Sequence, residues 1–426
     1  MTNTRLISLA KSPLLSLGNR KVIIFGDSRT DQCTVPSITT SSSIEYSKMA
    51  QGWIGWLQFL SGQRFDFDLA DNYGKSGDTS AQLLARVPAA IATTTAKVAI
   101  VLIGTNDANS SVPYATTKAN FDAIIALLQA AGMTVIVIAE LPRGDSTNTS
   151  ARLTATNLKH FMQYTEYLRR LRTTPGVFVA DPWQYWADPL SATGDAISAT
   201  YTKDGLHENP LGAYYIALSV LPIINSIFPA VDILPTSNSD LFDATDNPWG
   251  CLNSNPMMDG TGGSFNATGG SGLVATGWSE NAGPTWTRTY SKSTLANGKP
   301  AQQIVIGGTG TTSGVGFRQT ITAGNLTIGD QVQALASVEI DANAANVSQL
   351  ALQLLDNNTI TSGDMRRSVS TEVVPNISSQ IKGVMRTPIY TLTSTTLQLQ
   401  FFMNVLNAVT PAATVRIGQV ALRKVA

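Results

Sequence analysis

Residues 21–28, Lys21-Val22-Ile23-Ile24-Phe25-Gly26-Asp27-Ser28, decide the fold. The short apolar run over 21–25, broken by Gly26, predicts a buried parallel strand whose C-terminal end delivers a residue to a loop. Ser28 falls at the mouth of that loop. A serine hydroxyl is a poor nucleophile until an imidazole takes its proton, and the imidazole needs a carboxylate to hold its tautomer and stabilise its charged form. The chain has two histidines, so the choice of base is narrow. His207 stands in Asp204-Gly205-Leu206-His207, with an aspartate three residues before it and the turn-like Glu208-Asn209-Pro210 after it. His160 lies in Leu158-Lys159-His160-Phe161-Met162, within a long helical pattern, and reads as a structural or surface residue. Ser28, Asp204 and His207 are the candidate catalytic residues.

Two further blocks lie between Ser28 and the Asp-x-x-His segment. Asn72-Tyr73-Gly74-Lys75-Ser76-Gly77-Asp78-Thr79-Ser80 follows the alternating Phe65, Phe67 and Leu69, and reads as strand, glycine-rich loop and helix start. Gly77 can bring a bare backbone N–H close to a ligand. Gly104-Thr105-Asn106-Asp107 follows the apolar run 98–103, another buried strand that ends in a polar loop. Acyl transfer needs donors aimed at the oxygen that becomes negative in the tetrahedral intermediate. The backbone N–H groups of Ser28 and Gly77 and the side-chain amide of Asn106 are the candidates for such an oxyanion hole.

With these blocks in this order, the chain resembles the SGNH hydrolases, also called GDSL-type esterases and lipases. The resemblance covers residues ~20–228, where the alternating pattern stops. It implies a doubly wound, flavodoxin-like parallel sheet, with Ser28 as nucleophile, Gly77 and Asn106 in the oxyanion hole, and Asp204 and His207 as the acid–base pair. No cofactor and no metal are implied. Other hydrolase classes fit less well. Ser28 is not framed by Gly-x-Ser-x-Gly. Two histidines and two cysteines, scattered at 160, 207, 33 and 251, give no metal-ligand cluster. Gly307-Gly308-Thr309-Gly310 has no Gly-Lys-Ser/Thr after it, which leaves nucleotide binding unsupported.

At 426 residues the chain is long enough for two cores. Its 29 Lys and Arg balance 29 Asp and Glu, giving no electrostatic footprint for nucleic acid or an anionic membrane. Charged residues are sparse and Ser, Thr, Asn, Ala and Gly take their place, a surface chemistry common in secreted and virion proteins. Cys33 and Cys251 fall in different halves and are expected to be free thiols. No run approaches the ~18 apolar residues of a membrane span. In residues 1–13, Lys11 and Pro13 interrupt the apolar pattern before it becomes a signal segment, so residues 1–20 are expected to form an arm.

Residues 21–234 are expected to form the catalytic domain, with further strands at 134–139 and 177–180 and helices at 118–131, 153–171 and 212–227. Such a sheet carries its site at the strands' carboxyl ends. Residues 235–250 are turn-rich and read as a linker. Beyond it, Val332, Ala334, Ala336, Val338 and Ile340, then Leu397, Leu399, Phe401, Met403 and Val405, alternate with period two. Short strands between Gly, Asn and Ser turns predict an antiparallel β-sandwich over 251–426, of jelly-roll type. Asn255-Pro256-Met257-Met258-Asp259-Gly260 followed by Gly277-Trp278 resembles, more weakly, the opening of carbohydrate-binding-module-like jelly rolls. Trp278, Trp286 and Tyr290 are candidates for a sugar-stacking platform; core packing is the commoner use of such residues. The Asp and Asn residues at 341–343 and 356–358 suit β-turns, with calcium as the alternative.

The expected function is that of a serine carboxylic ester hydrolase, first of all an O-acetyl esterase acting on a polysaccharide through an acyl-Ser28 intermediate. The partner is then an acetylated polysaccharide or small ester, with no nucleic acid and no membrane insertion, and with a homo-oligomer or virion assembly as the setting. Similar two-domain chains among phage tail proteins imply an extracellular or virion-borne enzyme. The rival readings are a lipolytic or aryl esterase with an assembly domain, and a non-enzymatic virion receptor-binding protein. Removing residues after ~235 is expected to spare turnover of a small acetyl ester but to weaken action on polymer, whereas equal loss on both shows that the sandwich supports the fold.

Overall fold

The computed structural model describes residues 18–35, 47–48, 52–197, 201–310, 313–367 and 376–425; most of the expected N-terminal arm lies outside them. The first half is built on a parallel sheet of β1 (Val22–Gly26), β4 (Asn72–Gly74), β5 (Val98–Leu102), β6 (Thr134–Ile138) and β7 (Val177–Ala180). A two-stranded ribbon, β2 (Thr34–Val35) with β3 (Ser47–Lys48), stands apart from it. The sheet order is β4-β1-β5-β6-β7, so the chain reverses direction across the sheet at β1. A crevice opens above the carboxyl ends of the strands at such a switch point.

Alternate residues of the same strands feed two hydrophobic cores, as expected of strands covered on both faces. Ile23, Phe25, Val101 and Val137 face one way, against α3 (Ser80–Thr93), α5 (Tyr114–Ala130) and α6 (Ala155–Arg170), meeting Leu83, Phe121, Ile124 and Leu168. Val22, Ile24, Ile100 and Ile136 face the other way, toward α2 (Trp53–Leu60) and α8 (Pro210–Ile227), with Trp56, Leu57, Ile216 and Val220. Local chemistry sets the helix starts. Thr79 and Gln82 form a capping box on α3, and the Asn209 side chain accepts from the Gly212 N–H at 3.0 Å ahead of α8.

Two expectations need correction. Residues 65–69 alternate like a strand, yet the ladder with β1 is limited there to a bridge between Lys21 and Asp66. A 3₁₀ turn at Leu69–Asp71, closed by the Asp68–Asp71 capping box, intervenes before pairing resumes at Asn72. The second concerns membrane-span length: α8, at 18 residues with mean hydropathy 1.4, is long and apolar enough to cross a membrane. In this fold it is a core helix, with Ala213, Ile216, Ala217, Val220 and Ile224 fully buried.

The second half is a β-sandwich. One sheet runs β16 (Ile381–Arg386), β13 (Gln331–Ile340), β19 (Ala413–Lys424), β11 (Pro300–Gly307), β10 (Thr287–Thr294), β8 (Gly270–Gly272), with β17 (Tyr390–Thr391) beside β13. The other runs β15 (Thr359–Arg367), β14 (Val347–Asp356), β18 (Leu397–Val405), β12 (Val315–Thr320), β9 (Ser279–Glu280). The period-two residues at 332–340 and 397–405 are buried between the sheets. Residues 235–250 are laced onto this half by the Leu241–Cys251 bridge and the Asp240–Arg423 ion pair.

The halves share a core. Trp56 and Phe59 of α2 belong to the same hydrophobic cluster as Ile381 and Met385 of β16. A Cβ at Gly383 would lie 2.2 Å from the Phe59 carbonyl oxygen, so only glycine allows that approach. Gln63 Nε2 donates to the Val384 carbonyl at 2.6 Å, and Arg386 pairs with Asp66 at 2.7 Å.

Candidate active site

β1 carries Asp27 and Ser28 past its carboxyl end into α1 (Ser28–Asp31). The turn is tight: a Cβ at Gly26 would meet Thr30 Oγ1 at 2.2 Å and the Leu102 carbonyl at 2.4 Å. The buried Asp27 carboxylate accepts from the Arg29 N–H at 3.0 Å and caps this turn. Ser28 itself is partly exposed.

The loop before α8 brings His207 to it. His207 Nε2 lies 2.8 Å from Ser28 Oγ, and His207 Nδ1 lies 2.7 Å from Asp204 Oδ2. The three-residue spacing works because Asp204 acts twice. Its Oδ1 accepts from the N–H groups of Leu206 and His207, at 3.0 and 2.7 Å, and shapes the turn, while Oδ2 is left for the imidazole. Against the desolvation that partial burial imposes, the His207 ring and these amides hold the Asp204 carboxyl well below the usual carboxylate range. It is ionised at neutral pH and able to stabilise an imidazolium. The side chains of Asp204 and His207 are 47% and 25% exposed, so the site opens at the surface.

Gly77 comes from the loop after β4 and Asn106 from the short helix Thr105–Asn109 after β5, and β4 and β5 are the two neighbours of β1 in the sheet. Gly77 has φ +85°, in the left-handed region that glycine tolerates, and it is exposed. Asn106 Nδ2 donates to the Asp78 carbonyl at 2.9 Å; an amide nitrogen has two hydrogens, so this bond leaves Asn106 a candidate donor. The next residue, Asp107, turns inward and accepts from the Ser80 N–H and hydroxyl at 2.7 and 2.5 Å, tying the two loops together.

Residues that the motif reading did not single out support this arrangement. Asp31 Oδ2 holds Ser76, beside Gly77. Arg29 is fully buried, with Glu140 and the carbonyls of Leu206 and Pro142 as partners. Burial raises the carboxyls of Asp27 and Glu140, while the Arg29 charge works the other way. Glu208, next to His207, is fully buried, and burial pushes its carboxyl up to about 7 against the opposing pull of the Arg29 charge. The sequence signal for this cluster was ionisable residues flanking a nucleophile and a base, which spacing alone does not distinguish from surface charge.

His160 is half-buried on α6, and its Nδ1 has no hydrogen-bond partner. Cys33 and Cys251 are free and buried. Among the described residues, no group of three His, Cys, Asp or Glu side chains is placed to hold a metal ion. Asp341 pairs with Arg416, and Asp356 accepts from Thr393 and Ser394.

The aromatic platform does not exist. Trp278, Trp286 and Tyr290 are 2%, 0% and 1% exposed. Trp278 stacks on Phe317 at 5.2 Å between ring centroids, Trp286 Nε1 donates to the Ser313 carbonyl, and the Tyr290 hydroxyl donates to Glu280 at 2.7 Å. Their burial is what the sandwich interior gains from large rings, and it removes them from any ligand.

Residues 24–214 match the model of the GDSL-like Lipase/Acylhydrolase family. A search of curated proteins finds no match. Among solved structures, the chain is similar to a GDSL-like lipase from Bacteroides thetaiotaomicron, with 18% identity, 49% of this chain and 89% of that chain covered, and TM-score 0.35. It is similar to a member of the lipolytic protein G-D-S-L family from Veillonella parvula, with 16% identity, coverage of 48% and 97%, and TM-score 0.33. A carbohydrate acetylesterase family member from Sinorhizobium meliloti shares 13% identity, with coverage of 49% and 98% and TM-score 0.37.

Proposed function

We propose that this protein is a serine carboxylic ester hydrolase that removes O-acetyl groups from a polysaccharide. The observation that carries the reading is the Ser28–His207–Asp204 relay, with contacts of 2.8 and 2.7 Å. Ser28 Oγ attacks the ester carbonyl as His207 Nε2 takes its proton. The Ser28 and Gly77 N–H groups and the Asn106 amide stabilise the oxyanion. His207 then protonates the leaving alcohol, and water, activated by His207, releases the acyl group from Ser28.

The open position of the triad supports a short acyl group presented on a bulky alcohol, since such an ester reaches Ser28 without a deep acyl tunnel. The sparsely charged chain, rich in Ser, Thr and Asn, supports action outside a cell or on a virion. Acetate release from acetylated polysaccharides and from a small acetyl ester, by the parent and by Ser28→Ala, tests the proposal. Polymer-derived acetate that disappears in Ser28→Ala is the expected result. Turnover of the small ester alone moves the reading to a general esterase, and no turnover of either removes the enzymatic reading.

A further inference from the structure

A buried side chain outside the triad links three segments around it. Arg29 follows the nucleophile directly, and its guanidinium is fully buried. Its Nε donates to the Leu206 carbonyl at 3.0 Å, Nη1 to Glu140 Oε2 at 3.2 Å, and Nη2 to the Pro142 carbonyl at 3.4 Å. One planar fork therefore ties together the nucleophile turn, the loop after β6 and the loop carrying the base. Leu206 is the residue immediately before His207, so its carbonyl is one peptide away from the imidazole-bearing residue. The loop's other ties include Gly144–Gly205, Thr202–Asp145 and, from Lys203 Nζ to Gln32 Oε1 at 2.9 Å, one exposed link to the end of the nucleophile turn.

We propose that Arg29 is a positioning residue: anchored on Glu140, it holds the Leu206 carbonyl and so fixes His207 at hydrogen-bond distance from Ser28 Oγ. This inference rests on the serine-hydrolase reading and goes beyond it, because none of the family-matching blocks requires an arginine here. Lysine does not replace the fork, since a single ammonium has no planar array of donors to serve two carbonyls and a carboxylate at once.

The test separates positioning from support of the fold. The parent, Arg29→Lys and the charge-balanced double variant Arg29→Met/Glu140→Gln are compared as full-length proteins. Replacing a buried ion pair by hydrophobic residues of similar volume is often neutral or stabilising, and the double variant leaves no unpaired charge behind, so it is expected to fold. Two rates are measured: hydrolysis of p-nitrophenyl acetate, and labelling of Ser28 by a small fluorophosphonate. In the labelling reaction Ser28 Oγ bonds to phosphorus, fluoride leaves and His207 takes the proton.

Both variants are expected to lose about 10- to 100-fold in kcat and in labelling rate, with KM within about threefold, the pattern of a displaced catalytic group. A folded double variant that labels at the parental rate overturns the proposal, as does a rise in KM with kcat unchanged. If the double variant does not fold, Arg29→Lys decides by the same criteria. A parent that neither turns over nor labels removes the serine-hydrolase reading itself, and the role of Arg29 with it.

Discussion

Asp31 Oδ2 accepts hydrogen bonds from both the hydroxyl and the N–H of Ser76, at 2.5 and 3.2 Å. The residue that ends the nucleophile helix thus holds the residue before Gly77. Nucleophile and candidate oxyanion donor are set relative to each other by this link as well as by the sheet beneath. Asp31→Ala is expected to lower kcat on an acetyl ester about tenfold with KM little changed, because the Gly77 N–H loses its aim. Steady-state kinetics check this; an unchanged kcat shows that the glycine loop is held by other contacts.

Asn106→Ala tests the third donor. Removal of one oxyanion-hole donor typically costs about 10²–10³ in kcat. A loss below tenfold takes Asn106 out of that role and leaves its bond to the Asp78 carbonyl as its purpose.

Asp204→Asn keeps the size of the side chain but reverses the hydrogen-bond demand on His207 Nδ1, so that the wrong tautomer faces Ser28. By analogy with the serine-protease triad, kcat is expected to fall about 10⁴-fold. The Asp204 carboxyl is held below its usual range, so its contribution is present above its unfolded value and is lost only as pH falls through the lower folded value. Loss of activity between pH 7 and 5 therefore does not come from protonation of Asp204. A carboxyl-carbon NMR titration that put the Asp204 midpoint between pH 5 and 7 would contradict this.

Glu208 gives a pH-dependent stability with the opposite sign. Its folded value, about 7, lies above its unfolded one. The stabilising contribution of the neutral form is complete below the unfolded value and is lost as pH rises through about 7. Glu208→Gln is expected to match the parent below about pH 4 and to be more stable near pH 8, by on the order of 2–3 kcal/mol. Denaturant unfolding at both pH values measures the difference, and an equal effect at both excludes the titration.

Separability of the halves is an expectation that the shared core reverses. Cutting after residue 234 removes Gly383, Val384 and Met385 from beside α2 and uncovers the face carrying Phe59. The truncated chain is expected to aggregate or melt well below the parent, losing turnover of small esters and polymers together. A soluble fragment of residues 18–234 with parental turnover of a small ester would restore the two-module view.

Much of the site was legible because its geometry is local. Gly26-Asp27-Ser28 ends a strand, and Asp204 and His207 share one turn, so sequence spacing and spatial spacing nearly coincide. Helix starts were read within a few residues where caps are side chains, as at Thr79 and Asn209. The reading failed where one pattern serves two structures. Phe65 and Phe67 alternate like strand residues but pack along an irregular segment, because the Asp68–Asp71 box closes a turn there. Trp278, Trp286 and Tyr290 have the composition of a sugar platform, but composition carries no information about which side of a sheet a ring occupies.

The sequence alone determined the parallel α/β class of the first half, the β-rich second half and the local blocks that carry the candidate site residues. Each of these is encoded by hydrophobic period or by residues close along the chain. Tertiary structure decided what depends on residues far apart: the burial of Arg29 between Glu140 and Leu206, the exposure of the triad, the inward turn of the aromatics, and the packing of β16 on α2. Those outcomes follow from which surfaces exclude water when the sheets and helices assemble, a property of the packed whole rather than of any segment.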